Sequence, residues 1–311
     1  MIDLGHDLVL PAATEVVSYP SRAAWLAARL LGLGASDVPK VLGVSPYGGH
    51  WDVVAPRLNV AVERADTPQM ARGRRWESRI IEDYAEASGS TLWQLGTVHV
   101  VGPHPLRVTP DAFEHDPVLG WGGCEVKTDR TSFPWGPSGL FVDAWGPRWA
   151  GLIREDYAAQ CYACMMATGL PWWRLVVMRS LDDLRWYTLA ADLDLQATVL
   201  RLLEEWWVHH IVSRQLPAWD DSAACRAAVR RLFPPRGLKR SATEQEVYQA
   251  HAIEQFRAVE KQALANRRTM EAGLGAGMGA TGTRTITWPQ GRATWHPEGG
   301  GRDLTITLRK S

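Results

Sequence analysis

A mixed α/β fold is what the sequence predicts, on three observations. Apolar residues recur at helical spacing over 21–31 and 68–88, the pattern changes to a period of two between 91 and 128, and helical spacing returns over 152–168. At 311 residues and 46% hydrophobic side chains the chain has ample material for a core. With 34 basic and 34 acidic residues it lacks the high net charge that keeps a segment disordered. No apolar run approaches the roughly 18 residues of a membrane span. A formal charge of zero gives no bulk case for a polyanionic partner, so any nucleic-acid binding must come from a local patch. Four cysteines (Cys124, Cys161, Cys164, Cys225) are too few for a disulfide scaffold at this length. The opening MIDLGHDLVLPAATEVV has neither the basic segment nor the apolar run of a secretory signal, so a reducing cytoplasm is the expected setting.

The elements follow in order. SRAAWLAARLL (21–31) reads as a helix capped by Ser21, followed by a glycine-bearing turn and a short helix capped by Ser36 or Asp37, then a Ser-Pro-Tyr-Gly turn. Residues 68–88 form a second helix with Trp76, Ile80, Ile81, Tyr84 and Ala85 on one face and Gly89 as its stop. TLWQLGTVHVV, LRVTPDAF and GWGGCEVKT read as strands, and Asp129 to Trp149 as a long surface loop or small insertion. LIREDYAAQCYACMMAT (152–168) is a helix, WWRLVVMRS and LRWYTLA a hairpin, 192–213 a long helix and AACRAAVRRLF a shorter one. Beyond Pro234-Pro235 the character changes. A polar helix, the glycine linker GLGAGMGATG, and TRTITW with DLTITLRK as a terminal hairpin are expected there. This divides the chain into residues 1–235, carrying the chemistry, and an appendage over 241–311.

Pro110-Asp111 followed by Glu125-Val126-Lys127 carries the chemical signal. Residues 125 and 127 are two apart on a strand and emerge on one face, and a preceding strand that folds back brings Asp111 there too. Two carboxylates and an ammonium suit metal-assisted phosphodiester hydrolysis, with hard oxygen ligands for Mg²⁺ and a lysine to orient water or screen developing charge. Only five basic residues are lysine, which makes Lys127 more conspicuous. The competing reading is a surface strand with an alternating ion pair. Glu77 on the preceding helix and Gln160 on the following one shift the balance. Alternatives for these are a solvated carboxylate paired with Arg74 and an ordinary exposed amide.

In this order, GASDVPKVLGVSPYG, ARGRRWESRIIEDYAEASG, HPLRVTPDAF, CEVKT, DYAAQCYACMMATG and EEWWVHHIVSRQLP resemble the YqaJ-like viral recombinases, relatives of lambda exonuclease within the PD-(D/E)XK nuclease superfamily. The resemblance spans about residues 22–235. It implies a restriction-endonuclease-like core, a mixed central sheet flanked by helices. It also implies a Mg²⁺-dependent exonuclease (two ions, Mn²⁺ able to substitute) that degrades linear double-stranded DNA from the 5′ end and leaves 3′ overhangs for annealing. By the same resemblance Asp111, Glu125, the Val126 carbonyl and Glu77 hold the metal, Lys127 is the catalytic lysine, and Gln160 and Tyr157 complete the helix motif. Arg29, Ser36 and Thr109 match a pocket for the terminal 5′-phosphate, with Tyr157 also assigned to substrate phosphate. Partners implied are DNA ends, further copies in a ring trimer and a single-strand annealing protein, in a bacterial cytoplasm for a phage or prophage product. Departures are a longer 129–151 segment and Thr109 where serine is expected. A structure- or site-specific endonuclease and a non-catalytic DNA-end-binding module are the alternatives.

Other residues favour plainer readings. Cys161 and Cys164 read as core packing rather than an iron–sulfur or zinc site, because neither Cys124 nor Cys225 supplies a matching second pair. His209-His210 reads as a helix end, and His99, His104 and His115 as supporting or surface groups. Arg72, Arg74 and Arg75 read equally as a DNA-tracking stripe or a solvated face. Trp135, Trp145 and Trp149 read as packing of the insertion before base stacking.

Overall fold

The computed structural model describes residues 1–5, 7–60, 67–96, 98–144, 146, 151–234, 237, 239–295 and 304–308. Two compact units divide the chain, Met1–Pro234 and Pro235–Ser311.

In the first unit, strands β1 (Ile2–Asp3) and β2 (Val9–Leu10) pair with each other and β3 (Glu15–Ser18) follows. Helix α1 (Arg22–Arg29) starts where Ser21 accepts the Ala24 N–H at 3.2 Å. Helix α2 (Val38–Val41) begins after Asp37 without a side-chain capping bond, because that carboxylate serves arginines and a lysine instead. A helix not expected from the sequence, α3 (His50–Arg57), buries Trp51, Val53, Val54 and Ala55. Its length of eight residues is too short for a clear 3.6-residue pattern. Helix α4 (Pro68–Ser88) has Thr67 as cap, Pro68 in its first turn and Gly89 at φ 72° as stop. Ile80, Ile81 and Tyr84 are buried as expected, but Trp76 is 37% exposed, so the buried stripe begins one turn later than the spacing implied.

The period-two region divides between two sheets. Strands β4 (Thr91–Trp93) and β5 (Val98–Val101) separate at Gly96, and β6 (Arg107–Val108) and β7 (Ala112–Asp116) separate at Pro110-Asp111. Proline has no N–H to donate to a ladder, so the chain leaves one sheet and enters the other there. Strands β3, β5 and β6 form a three-stranded antiparallel sheet. Strand β8 (Gly120–Thr128), β9 (Leu140–Val142), helix α5 (Glu155–Thr168), β10 (Trp172–Ser180) and β11 (Asp183–Ala190) complete the main sheet and one of its covers. Its order is β4-β7-β8-β10-β11-β9, with β8/β10 and β11/β9 parallel and the other pairs antiparallel. The 129–149 segment therefore contributes an edge strand rather than only a loop, and its Trp135 is buried. Trp145 and Trp149 lie outside the described residues.

Alternation along β8 sorts the two faces. Cys124 and Val126 join Ala112, Val176, Ile80, Ile81 and Tyr84 under α4. Phe113, Trp173, Leu175 and Val177 face the other way, in one cluster with Tyr157, Cys161, Cys164 and Met165 of α5. Gly122 and Gly123 let the indoles of Trp172 and Trp173 lie flat against β8, where an added Cβ would come within 2.3 and 2.2 Å of ring carbons. All four cysteines are buried, and burial pushes the Cys124, Cys161 and Cys164 thiols well above their ordinary value, so they stay protonated and pack as expected.

The expected long helix over 192–213 is α6 (Leu193–Trp207) followed by a π turn (Val208–Val212) that carries His209 and His210. Helix α7 (Ala223–Leu232) ends the unit.

In the second unit, α8 (Glu244–Ala280) opens with a reciprocal cap between Thr243 and Glu246. The run read as a glycine linker forms its last turns, where Gly275 gives the space taken by the Trp295 ring. The expected terminal hairpin is a three-stranded meander of β12 (Thr285–Trp288), β13 (Gly291–Trp295) and β14 (Leu304–Leu308), with β13 between the two segments expected to pair. Among the described residues no helix is long and apolar enough to cross a membrane.

Candidate active site

The β7/β8 register decides where the carboxylates sit. Ala112 pairs with Cys124, which carries Asp111, one residue before the ladder, alongside Glu125. The Val126 N–H donates to Asp111 Oδ2 at 2.8 Å, and Lys127 Nζ donates to Glu125 Oε1. Asp111, Glu125 and Lys127 thus share the sheet face covered by α5, as the spacing predicts.

Like charges dominate this corner. Burial, then the Glu125 charge, raises the Asp111 carboxyl well above the usual carboxylate range, against the pull of Lys127. Burial and Glu125 raise Glu77 in the same direction, with Lys127 and Arg74 opposing. Glu77 belongs to α4, the helix on the opposite face, and reaches the group from there by its charge. Burial would lower the Lys127 ammonium, but Glu125 and Asp111 outweigh it and hold it above its ordinary value. Lys127 is therefore a cation at neutral pH, fit to donate hydrogen bonds rather than to accept a proton.

Helix α5 brings Tyr157 and Gln160 over this face, three residues apart on one side of the helix. Lys127 Nζ lies 5.7 Å from the Tyr157 ring centroid. Burial raises the Tyr157 hydroxyl above its ordinary range, so it remains a neutral phenol. Gln160 is buried, and its amide nitrogen donates to the Asp156 carbonyl at 3.3 Å.

Asp111, Glu125, Glu77 and the Val126 carbonyl are all hard oxygen donors, the chemistry that Mg²⁺ and Mn²⁺ favour. Mutual repulsion among the carboxylates is what a divalent cation would relieve, and in that respect the residues fit one. Among the described residues no three His, Cys, Asp or Glu side chains form a closed ligand set.

The residues expected to receive a phosphate converge at the α1/α2 turn. Arg29 Nη2 donates to Ser36 Oγ at 2.8 Å. Trp25, 5.7 Å beneath the Arg29 guanidinium, donates its Nε1–H to Thr109 Oγ1 at 3.2 Å. Thr109 donates its own proton to the Val98 carbonyl at 2.9 Å, so it supports Trp25 and is joined to Arg29 only through that indole. By its contacts Tyr157 belongs with Lys127. Beside Ser36, Asp37 is met by Arg57 at 2.8 Å and by Arg29 and Lys40 at 3.5 Å each. Three cations facing one carboxylate leave a local positive excess in a chain of zero formal charge. His99, 1% exposed beneath Trp25, has a pKa lowered to about 4 by burial and then by Arg107 and Arg29, so it is neutral here. Arg72, Arg74 and Arg75 are exposed on α4.

Two buried ionic clusters escape sequence reasoning. Arg154 pairs with Asp156 and reaches Asp129 and Tyr47, and Arg174 joins Glu114 to Asp116. The only sequence trace of the first is an acid two residues beyond Lys127 and an Arg-x-Asp at the head of a helix.

A mixed sheet with Asp111 at the entry to β7, Glu125 and Lys127 within β8, and a helix laid over them, is the PD-(D/E)XK-like fold. Residues 24–171 match the model of the YqaJ-like viral recombinase domain. Among solved structures, an alkaline exonuclease (LHK-Exo) from Laribacter hongkongensis is 18% identical, with 61% of this chain and 92% of that chain covered and a TM-score of 0.45. LHK-Exo in complex with dAMP is 19% identical, with the same 61% and 92% coverage and a TM-score of 0.45. No curated protein matches the chain.

Proposed function

We propose that this chain is a metal-dependent exonuclease that hydrolyses one strand of linear double-stranded DNA from its 5′ end. The product is a duplex with 3′ single-stranded overhangs for phage-type annealing recombination. One observation carries this: inside a YqaJ-like domain, Asp111, Glu125 and Lys127 emerge side by side on one sheet face, with Asp111 anchored to the backbone between the other two.

Asp111, Glu125, the Val126 carbonyl and Glu77 would hold Mg²⁺, or Mn²⁺ in its place, one or two ions. A bound ion supplies positive charge that polarises the phosphodiester and acidifies an attacking water. Lys127, cationic and fixed by Glu125, donates to that water or to the phosphoryl oxygens as negative charge builds. Tyr157 stays neutral and limits where the Lys127 ammonium can swing. Gln160, anchored to the Asp156 carbonyl, sits a turn further along α5 as the second polar group of that wall. Arg29 and Ser36, in the positive excess around Asp37, would receive a terminal 5′-phosphate, with Thr109 bracing them through Trp25. A ring of three copies around the duplex and a strand-annealing protein as partner belong to the same proposal, with the host cytoplasm as its setting.

The test uses linear duplexes labelled on one strand, bearing a 5′-phosphate or a 5′-hydroxyl, beside a closed circle, with Mg²⁺ and either wild-type protein or Lys127→Ala. Mononucleotide release from the phosphorylated linear substrate, abolished by the substitution, is the expected result. Cutting of the circle would turn the assignment to an endonuclease, and binding without cleavage to a DNA-end adaptor.

A further inference from the structure

Beside the proposed site lies a buried ionic cluster that the hydrolysis just described does not use. Arg154, the residue before α5, is 7% exposed and donates from Nε and Nη2 to the two carboxylate oxygens of Asp156 at 3.0 and 2.8 Å. Its Nη1 donates to the Tyr47 hydroxyl at 3.0 Å and lies 3.5 Å from Asp129 Oδ1. The guanidinium sits 4.2 Å from the Tyr157 ring centroid and 5.2 Å from that of Tyr47. Asp129 follows Lys127 by two residues and also accepts the Trp135 indole N–H at 2.7 Å, while Trp135 stacks on Tyr157 with centroids 6.1 Å apart. One guanidinium therefore ties together the end of β8, the start of α5 and the turn between α2 and α3.

Tyr47 is the exposed end of this connection. It is 56% exposed at the tip of the Ser-Pro-Tyr-Gly turn, yet its hydroxyl is fixed by a buried cation. Running inward, the order is Tyr47, Arg154, Tyr157, Lys127. A solvent-exposed phenol gains no stability from being held this way beyond one hydrogen bond, but a held aromatic face at a surface turn is suited to lie against a nucleotide.

We propose that Arg154 is a positioning residue that couples the exposed Tyr47 to Tyr157 and Lys127, so that a DNA strand seated against Tyr47 aligns the lysine for cleavage. This rests on the nuclease activity proposed above. A lysine at 154 keeps the charge but lacks the planar fork that serves Asp156, Asp129 and Tyr47 together.

Single-turnover cleavage of a 5′-phosphorylated linear duplex, with wild-type protein, Tyr47→Phe, Arg154→Lys and the double variant, tests the coupling, with KM and Tm measured alongside. Arg154→Lys is expected to lower kcat by about tenfold or more through misplacement of the reacting groups. Tyr47→Phe, which keeps the ring and loses the hydroxyl, is expected to lower kcat by about three- to tenfold while Tm falls by no more than about 2–4 °C, the loss of one hydrogen bond. The double variant should be no slower than Arg154→Lys alone, the signature of one shared path. If wild-type protein cuts but Tyr47→Phe is as fast, or the two losses multiply, the coupling is overturned. A fall in Tm with kcat of the folded fraction unchanged would make Arg154 merely structural and overturns it too. Should Arg154→Lys fail to fold, Tyr47→Phe decides alone by its kcat. A wild-type chain that cuts no DNA removes the nuclease activity and the coupling together, and is told apart by that control.

Discussion

Glu114→Ala probes the ionic cluster on the α4 side of the sheet. Glu114 is fully buried and accepts four hydrogen bonds: from the Tyr84 hydroxyl at 2.9 Å, Ser90 Oγ at 2.8 Å, Arg174 Nη2 at 3.1 Å and Arg174 Nε at 3.3 Å. Its removal leaves the Arg174 guanidinium, 10% exposed, with the partly exposed carboxylate of Asp116 at 3.3 Å as its charged partner. Breaking a buried pair by deleting one member costs about 3–5 kcal/mol, because the surviving charge keeps its desolvation penalty. For a unit of this size each kcal/mol moves Tm by about 2–4 °C, so the drop should be roughly 6–20 °C. Thermal unfolding followed by circular dichroism measures it. Replacing both partners, Glu114→Leu with Arg174→Met, should lose less than Glu114→Ala, because no orphan charge remains. A Glu114→Ala shift below about 2 °C, or a double variant less stable than the single one, would refute the account of this cluster as a mutually dependent pair.

Asp111→Asn should abolish cleavage yet raise Tm in EDTA buffer at neutral pH, since it removes a carboxylate whose ionisation burial and Glu125 oppose. An unchanged or lower Tm would deny the repulsion. Asp37 behaves in the opposite sense. Burial alone would raise its carboxyl, but Arg57, Arg29 and Lys40 hold it well below the usual range. Its stabilisation is thus complete above about pH 5 and lost progressively as the pH falls below about 4. Urea unfolding across this range should show a steeper acid loss in wild-type protein than in Asp37→Asn. Gly123→Ala drives a Cβ to within 2.2 Å of the Trp173 ring and should cost about 1–3 kcal/mol or more in urea unfolding; a neutral result would mean that the indole moves freely.

Much of the candidate site is legible in the sequence because strand alternation and helix periodicity act locally. Glu125 and Lys127 share a face wherever that strand lies, and Tyr157 and Gln160 share a side of their helix. Asp111 requires one further fact, the register between β7 and β8. The group proposed to receive a phosphate is legible only in part. Arg29 and Ser36 meet, whereas Thr109 acts through Trp25, whose indole no spacing connects to it. In the appendage the glycines of 273–279 argue for a linker on propensity alone, and packing of Trp295 into the space at Gly275 shows why a helix can persist.

What the sequence determined by itself is the alternation of elements, the positions of most helix starts and stops, and the shared face of Glu125 and Lys127 on one strand. These depend on residues a few positions apart, through capping, periodicity and turn preference. Only the tertiary structure decided that one period-two region serves two sheets, that the 129–149 segment adds an edge strand, and that three cations surround Asp37. It alone placed Arg154 between Tyr47 and Tyr157, residues 47 and 157 in the chain, through a 3.0 Å hydrogen bond to one and a 4.2 Å ring contact to the other. The reason is physical. A buried charge can be kept only where partners converge from distant segments, and such convergence leaves no periodic trace along the chain.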